Sequence, residues 1–237
     1  MTIGKRIATV LEPVCRRVPT PAVRAQVQLF QVRKEPPSYI VRPLAEGDRL
    51  KPMLLIIDML IDFLDPWPEA DRAALVDAVQ SLATAFRTPG HPIIWVRQEF
   101  EPDLRDAFLE MQRKNIRITI KGTHGCKIIP ELMPHRDDPQ VIKKRYSAFF
   151  GTHLDQLIVG NAIDTVVLAG INTHACVRTT AIDAYQRDLD VIIPREAVGS
   201  YDRNHEAMSL RYMDGKIASV VPVAAVVSRI RESNLRS

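Results

Sequence analysis

The sequence predicts an α/β domain built on a parallel sheet with helices on both faces. Two observations carry this. From Lys51 onward, short apolar runs rich in β-branched residues recur, bounded by Gly, Pro and Asp, and stretches with helical periodicity separate them. Runs that are apolar throughout suit strands buried on both faces, and alternating β and α elements imply parallel pairing through helical crossovers. In chain order the strands are PMLLIID (Pro52–Asp58), PIIWVR (Pro92–Arg97), a weaker QVIK (Gln140–Lys143), DTVVLAG (Asp164–Gly170), LDVIIP (Leu189–Pro194) and ASVVPV (Ala218–Val223). Helical patterns fall at Glu69–Arg87, Thr152–Asn161, Thr173–Arg187 and Asn204–Asp214. There is no internal repeat and no low-complexity tract.

Residues 1–49 have a different texture. They carry Pro13, Pro19, Pro21, Pro36, Pro37 and Pro43, and only QVQLFQV (Gln26–Val32) alternates as a strand does. We read 1–49 as a basic, Pro-rich extension, partly disordered or an arm, and 50–237 as the folded α/β domain. The extension holds nine Lys/Arg against four Asp/Glu, a balance of +5, while the rest holds 23 against 24. The excess positive charge therefore lies outside the domain, which argues against a nucleic-acid groove there. Mean hydropathy is −0.07 and no long uncharged apolar run occurs, so no membrane partner is expected. No stretch has the pattern of a secretory signal. Three cysteines, far apart in sequence, form no disulfide framework, so a reducing, cytoplasmic setting is expected.

In an open α/β sheet, chemistry gathers beyond the carboxyl ends of strands. Asp58 closes the first strand, Lys143 closes QVIK, and Cys176 follows DTVVLAG in the stretch GINTHACVRTTAIDA (Gly170–Ala184). The thiolate is the nucleophilic form of a thiol and needs a base, a cation or a helix N-terminus to form. Cys176 stands in the first turn of a predicted helix, with Asn172 or Thr173 as its cap. Backbone N–H groups there also suit an oxyanion. Asp58 would take the thiol proton, and Lys143, if near, would lower the thiol pKa, so that iodoacetamide would label Cys176 well below pH 8. Each residue has a plainer reading: a small buried hydrophobe for Cys176, a turn residue for Asp58, a solvated face beside Lys144 and Arg145 for Lys143.

LLIIDMLIDF, VIKKRYSAFFGTHLDQLI and the segment beginning GINTHACVRTT resemble, in this order, the Asp, Lys and Cys motifs of the isochorismatase-like cysteine hydrolases. KGTHG (Lys121–Gly125) is similar to a loop this family carries before its Lys strand. The resemblance runs through residues 52–222. It implies a Rossmann-like three-layer α/β/α domain with a six-stranded, mainly parallel sheet, and a catalytic set of Asp58, Lys143 and Cys176. It further implies a cis peptide between Ile171 and Asn172, and an oxyanion hole from the backbone N–H groups of Asn172 and Cys176. The expected reaction is hydrolysis of a C–N bond in a small amide, carbamoyl or ureido compound through a covalent acyl-enzyme, in a homo-oligomer such as a dimer or tetramer.

The chain departs from that family in two places. Leu60 and Ile61 stand where Gln-Asn often follows the catalytic Asp, giving a more apolar floor. RQEFEPDLRDAF (Arg97–Phe108) lacks the histidines with which nicotinamidases bind a metal, so no metal or other cofactor is expected. Nor do the pairs His124/Cys126 and His174/Cys176 suit zinc, which needs four converging ligands. Arg97 would hold a substrate carboxylate or pair with Glu99 or Asp103. Phe63, Trp67 and Tyr146 would wall the pocket or serve as core. Met59–Pro68 and Glu99–Thr123 are the loops expected to set specificity. Three alternatives remain: a non-catalytic scaffold on this fold; an isochorismatase-type vinyl-ether hydrolase, which as a class lacks the cysteine; and a nucleotide-binding redox domain, weakened by DMLIDF where a glycine-rich turn would stand.

Overall fold

The computed structural model describes residues 50–234, so the expected extension and its QVQLFQV strand lie outside the described residues. Seven strands form one sheet: β1 (Pro52–Ile57), β2 (Ile93–Gln98), β3 (Gln140–Lys143), β4 (Thr165–Ile171), β5 (Asp190–Pro194), β6 (Val198–Gly199) and β7 (Ser219–Val221). Their order is β3-β2-β1-β4-β5-β7, with β6 paired to β4, and every pairing is parallel. The expected count of six is corrected by β6. After β5 the chain runs back beside the end of β4 for two residues, Val198 against Gly170 and Gly199 against Ile171. Such a short pairing leaves no hydrophobic run to read.

The helices are α1 (Ile61–Leu64), α2 (Glu69–Arg87), α3 (Leu109–Lys114), α4 (Leu154–Gly160), α5 (Arg178–Tyr185), α6 (Arg203–Met213) and α7 (Val223–Asn234). The pleat divides the sheet's residues between two cores. Met53, Leu55, Ile57, Ile94, Val96, Val166 and Leu168 face α4, α5 and α6, while Leu54, Ile56, Ile93, Trp95, Val167 and Ala169 face α2 and α7. This is the three-layer arrangement expected. All six residues of β1 and all seven of β4 are buried, each large aliphatic contributing roughly 1.5–3 kcal/mol.

The expected strand Ala218–Val223 ends at Val221 because Pro222 has no N–H for the ladder. Val223 instead opens α7, which packs Val226 and Ile230 onto the α2 side. Among the described residues no helix is long and apolar enough to cross a membrane.

Candidate active site

Three strand ends bring the proposed groups together. Asp58 follows β1 with φ 53°, a left-handed conformation in which aspartate is among the tolerated side chains. By strand alternation its side chain would follow Leu54 and Ile56 toward α2, and the positive φ breaks that alternation. Beside it, Gly170 has φ 103°, and a Cβ there would lie 2.0 Å from the Ile57 carbonyl oxygen. Only glycine lets β4 pass so close to β1 at this point.

Lys143 is the last residue of β3, fully buried, and its ammonium reaches three groups. It lies 2.7 Å from Asp58 Oδ2 and donates to Cys176 Sγ at 3.3 Å and to the Arg145 carbonyl at 3.2 Å. The other Asp58 oxygen accepts the Gln98 backbone N–H at 2.7 Å. Cys176, 5% exposed, sits among core residues on the same face as Val141 and Val177. Among the described residues, sulfur, ammonium and carboxylate thus form one contiguous buried group, in which Lys143 contacts both of the others and Asp58 also acts directly on the thiol.

The turn carrying Cys176 differs from the expected α-helical start. Thr173–Val177 is π-helical, following a cis Ile171–Asn172 peptide, and α5 begins only at Arg178. Neither Asn172 nor Thr173 caps it through a side chain. The Asn172 carbonyl instead accepts from both Ala175 and Val177 N–H, leaving Asn172 Oδ1 and Thr173 Oγ1 without partners.

The expected depression of the thiol pKa is overturned. Burial, reinforced by the neighbouring Asp58 carboxylate, pushes Cys176 up to about 12, and Lys143 offsets this only in part. Burial also opposes the charge on Lys143, but Asp58 and Cys176 outweigh it and hold the ammonium above its ordinary pKa. The resting site therefore holds a neutral thiol beside an ion pair. Iodoacetamide at pH 7.5 is expected to alkylate Cys176 at least about a hundredfold more slowly than free cysteine, since only the thiolate reacts. Both groups keep their protons more tightly folded than unfolded. The stability they confer is present below pH 9 and lost as pH rises toward 12. Thermal unfolding of the wild type should decline with pH in that window more steeply than that of Cys176→Ala; rapid labelling at neutral pH or parallel declines would contradict this assignment.

The remaining candidates divide differently. In the β2–β3 register, Gln98 pairs with Lys143 and Arg97 with Ile142, so Arg97 points to the opposite face from Lys143. Its guanidinium lies 3.5 Å from Glu99 and donates to the Cys126 carbonyl at 3.1 Å, the ion-pair alternative. Phe63 and Trp67 pack on the α2-side core, with Trp67 against Gly199. Tyr146 is half exposed and stacks on Phe108 at 5.0 Å. A cavity of about 600 Å³ is lined by Trp67, Arg72, Val76, Gln80 and Glu131 among others, none of them catalytic candidates.

Sequence reading missed two residues. Gln98 carries the backbone donor to Asp58 and is itself buried beside Lys143. Asp62 accepts the Thr119 N–H at 2.7 Å and also lies against Gly125, where an added Cβ would fall 1.8 Å from its carboxylate, so it fastens the KGTHG loop. Its two-sided contact has no local signal; the recurrence of Asp four residues after Asp58 was the only cue.

A parallel α/β domain with a thiol, an ammonium and a carboxylate joined beyond its strand ends is the class that fold and site define. The chain belongs to the isochorismatase family: the profile of the Isochorismatase domain matches residues 52–225. Maleamate amidohydrolase of Pseudomonas putida is 27% identical over 186 residues, covering 76% of this chain and 87% of that protein. A probable inactive nicotinamidase of Arabidopsis thaliana is 32% identical over 143 residues, 57% of this chain and 73% of that one. The solved N-carbamoylsarcosine amidase of Thermoplasma acidophilum has a TM-score of 0.63 at 31% identity, covering 73% and 97% of the two chains. The match to Escherichia coli enterobactin synthase component B, at 26% identity, spans 66% of that protein's length.

Proposed function

We propose that this chain is a cysteine-dependent hydrolase cleaving a C–N bond in a small amide, carbamoyl or ureido compound. The observation that carries the reading is Lys143 Nζ held 2.7 Å from Asp58 and 3.3 Å from Cys176 in a buried group. The amide hydrolases among its relatives point to the same bond. As substrate arrives, Asp58 takes the thiol proton while Cys176 Sγ bonds to the carbonyl carbon. The Lys143 ammonium stabilises the thiolate as it forms. The oxyanion is held by the N–H groups of Asn172 and Cys176. Collapse breaks the C–N bond, and Asp58 returns its proton to the departing ammonia or amine. Water then attacks the thioester with Asp58 as base, releasing the acid or carbamate and restoring the thiol.

A thiol with a high resting pKa fits this sequence, because proton transfer is coupled to attack rather than preceding it. The reading includes no metal and no nucleic-acid partner, and it takes the assembly to be homo-oligomeric. It assigns 50–237 as the hydrolase domain with 1–49 appended, and a cytoplasmic setting in keeping with the free thiols of Cys126 and Cys176. The plant relative named as inactive favours a second reading, a non-catalytic member of the fold. Ammonia release by purified protein across nicotinamide, biuret, ureidoacrylate-like and carbamoyl amino-acid compounds separates the two. Turnover of at least one is expected; silence across the panel with an intact fold would favour the second.

A further inference from the structure

Two residues before the nucleophile, His174 takes part in a contact that the chemistry above leaves unused. Its backbone N–H donates to Ser200 Oγ at 3.3 Å, and its ring Nδ1 lies 2.9 Å from the same oxygen. Ser200 is 1% exposed, follows β6, and donates its own backbone N–H to Glu206 Oε2 at 2.8 Å. The hydroxyl has one hydrogen. We assign that hydrogen to Nδ1: in the neutral tautomer protonated at Nε2, Ser200 Oγ accepts the His174 backbone N–H and donates to the ring. Protonating Nδ1 would turn the acceptor into a donor and force the buried hydroxyl to find another partner.

We propose that neutral His174 is a positioning residue for Cys176: it locks the turn Thr173–Val177 onto Ser200, and protonation of its ring releases that lock and sets an acid limit on the reaction.

The surroundings favour the neutral ring. His205, on α6, has its ring centroid 5.6 Å away, and Tyr201 meets the ring edge-on at 5.1 Å. Burial and then His205 lower the His174 pKa, while Asp202 and Glu206 act the other way. Both acids have other obligations. Asp202 caps α6 and contacts His205 at 3.1 Å, and Glu206 holds Ser200 N–H and Arg203. From α5 the nearby charges are Arg178, stacked on Tyr212, and Asp183, while β4 and β6 carry no ionisable side chain.

The test compares wild type with His174→Asn, His174→Ala and Ser200→Ala between pH 5 and 8.5. Asparagine places an acceptor near the position of Nδ1 and does not titrate. On an amide from the screen, wild-type kcat is expected to fall on the acid side of the ordinary histidine value of 6.5 and to level off about tenfold below its pH 8 value, as in the variants that lack the lock. His174→Asn should retain kcat within about threefold at pH 8 and lose that acid limb. His174→Ala and Ser200→Ala should lose about tenfold in kcat, with KM less affected. Thermal unfolding gives a reading independent of turnover. A folded pKa below the unfolded value means that the unfolded chain protonates first, so wild-type stability falls as pH drops below 6.5. The fall should be shallower in His174→Asn. An unaltered acid limb together with an unaltered slope in His174→Asn would overturn the proposal. The kinetic arm rests on the cysteine-hydrolase reading. Should Cys176→Ala retain turnover, that reading fails, and the unfolding arm still decides the role of His174.

Discussion

Replacing Cys176 with alanine is expected to lower hydrolysis of any accepted amide by about 10⁴-fold or more, the scale on which removal of a covalent nucleophile acts. The protein should stay folded, because the lost sulfur is one small group in a large apolar core. Cys126 supplies the control. It is as deeply buried, and among the described residues its sulfur donates to the Thr123 carbonyl at 3.4 Å. Cys126→Ala should therefore keep wild-type turnover. If both variants behaved alike, whether active or dead, Cys176 would have no special role.

Replacing Lys143 with methionine should injure stability as well as catalysis. The change preserves length but leaves the Asp58 carboxylate, itself fully buried, without its counter-charge. Breaking one side of a buried pair typically costs about 3–5 kcal/mol. Adding Asp58→Asn removes the stranded charge and should recover most of that loss, while hydrolysis stays absent in both variants. Urea unfolding of the two single variants and the double variant measures the coupling directly. A Lys143→Met cost below about 1 kcal/mol, or additive effects, would show that the pair is not the electrostatic unit described.

The sheet was legible because its central strands are long and apolar enough to be read without neighbours. PMLLII and TVVLAGI match their strands to within a residue, and α2 spans the expected Glu69–Arg87. The misses share a physical cause. β6 is two residues long, and α7, VAAVVSRIRESN, has a β-branched start that masks its helical contacts with α2. Asp58, Lys143 and Cys176 were recoverable as polar residues where apolar runs stop. Their ionisation was not, because the thiol pKa follows from burial, which spacing does not encode. Likewise position left Arg97 open between a substrate clamp and an ion pair, and strand register with the Glu99 contact decided for the latter, on the far face from Lys143.

The most direct test of the covalent mechanism is mass spectrometry of enzyme quenched with acid during turnover of an amide found in the screen. The account predicts an adduct equal to the acyl or carbamoyl portion of the substrate on the peptide containing Cys176, absent from Cys176→Ala. An adduct on another residue, or undiminished turnover by the alanine variant, would contradict it.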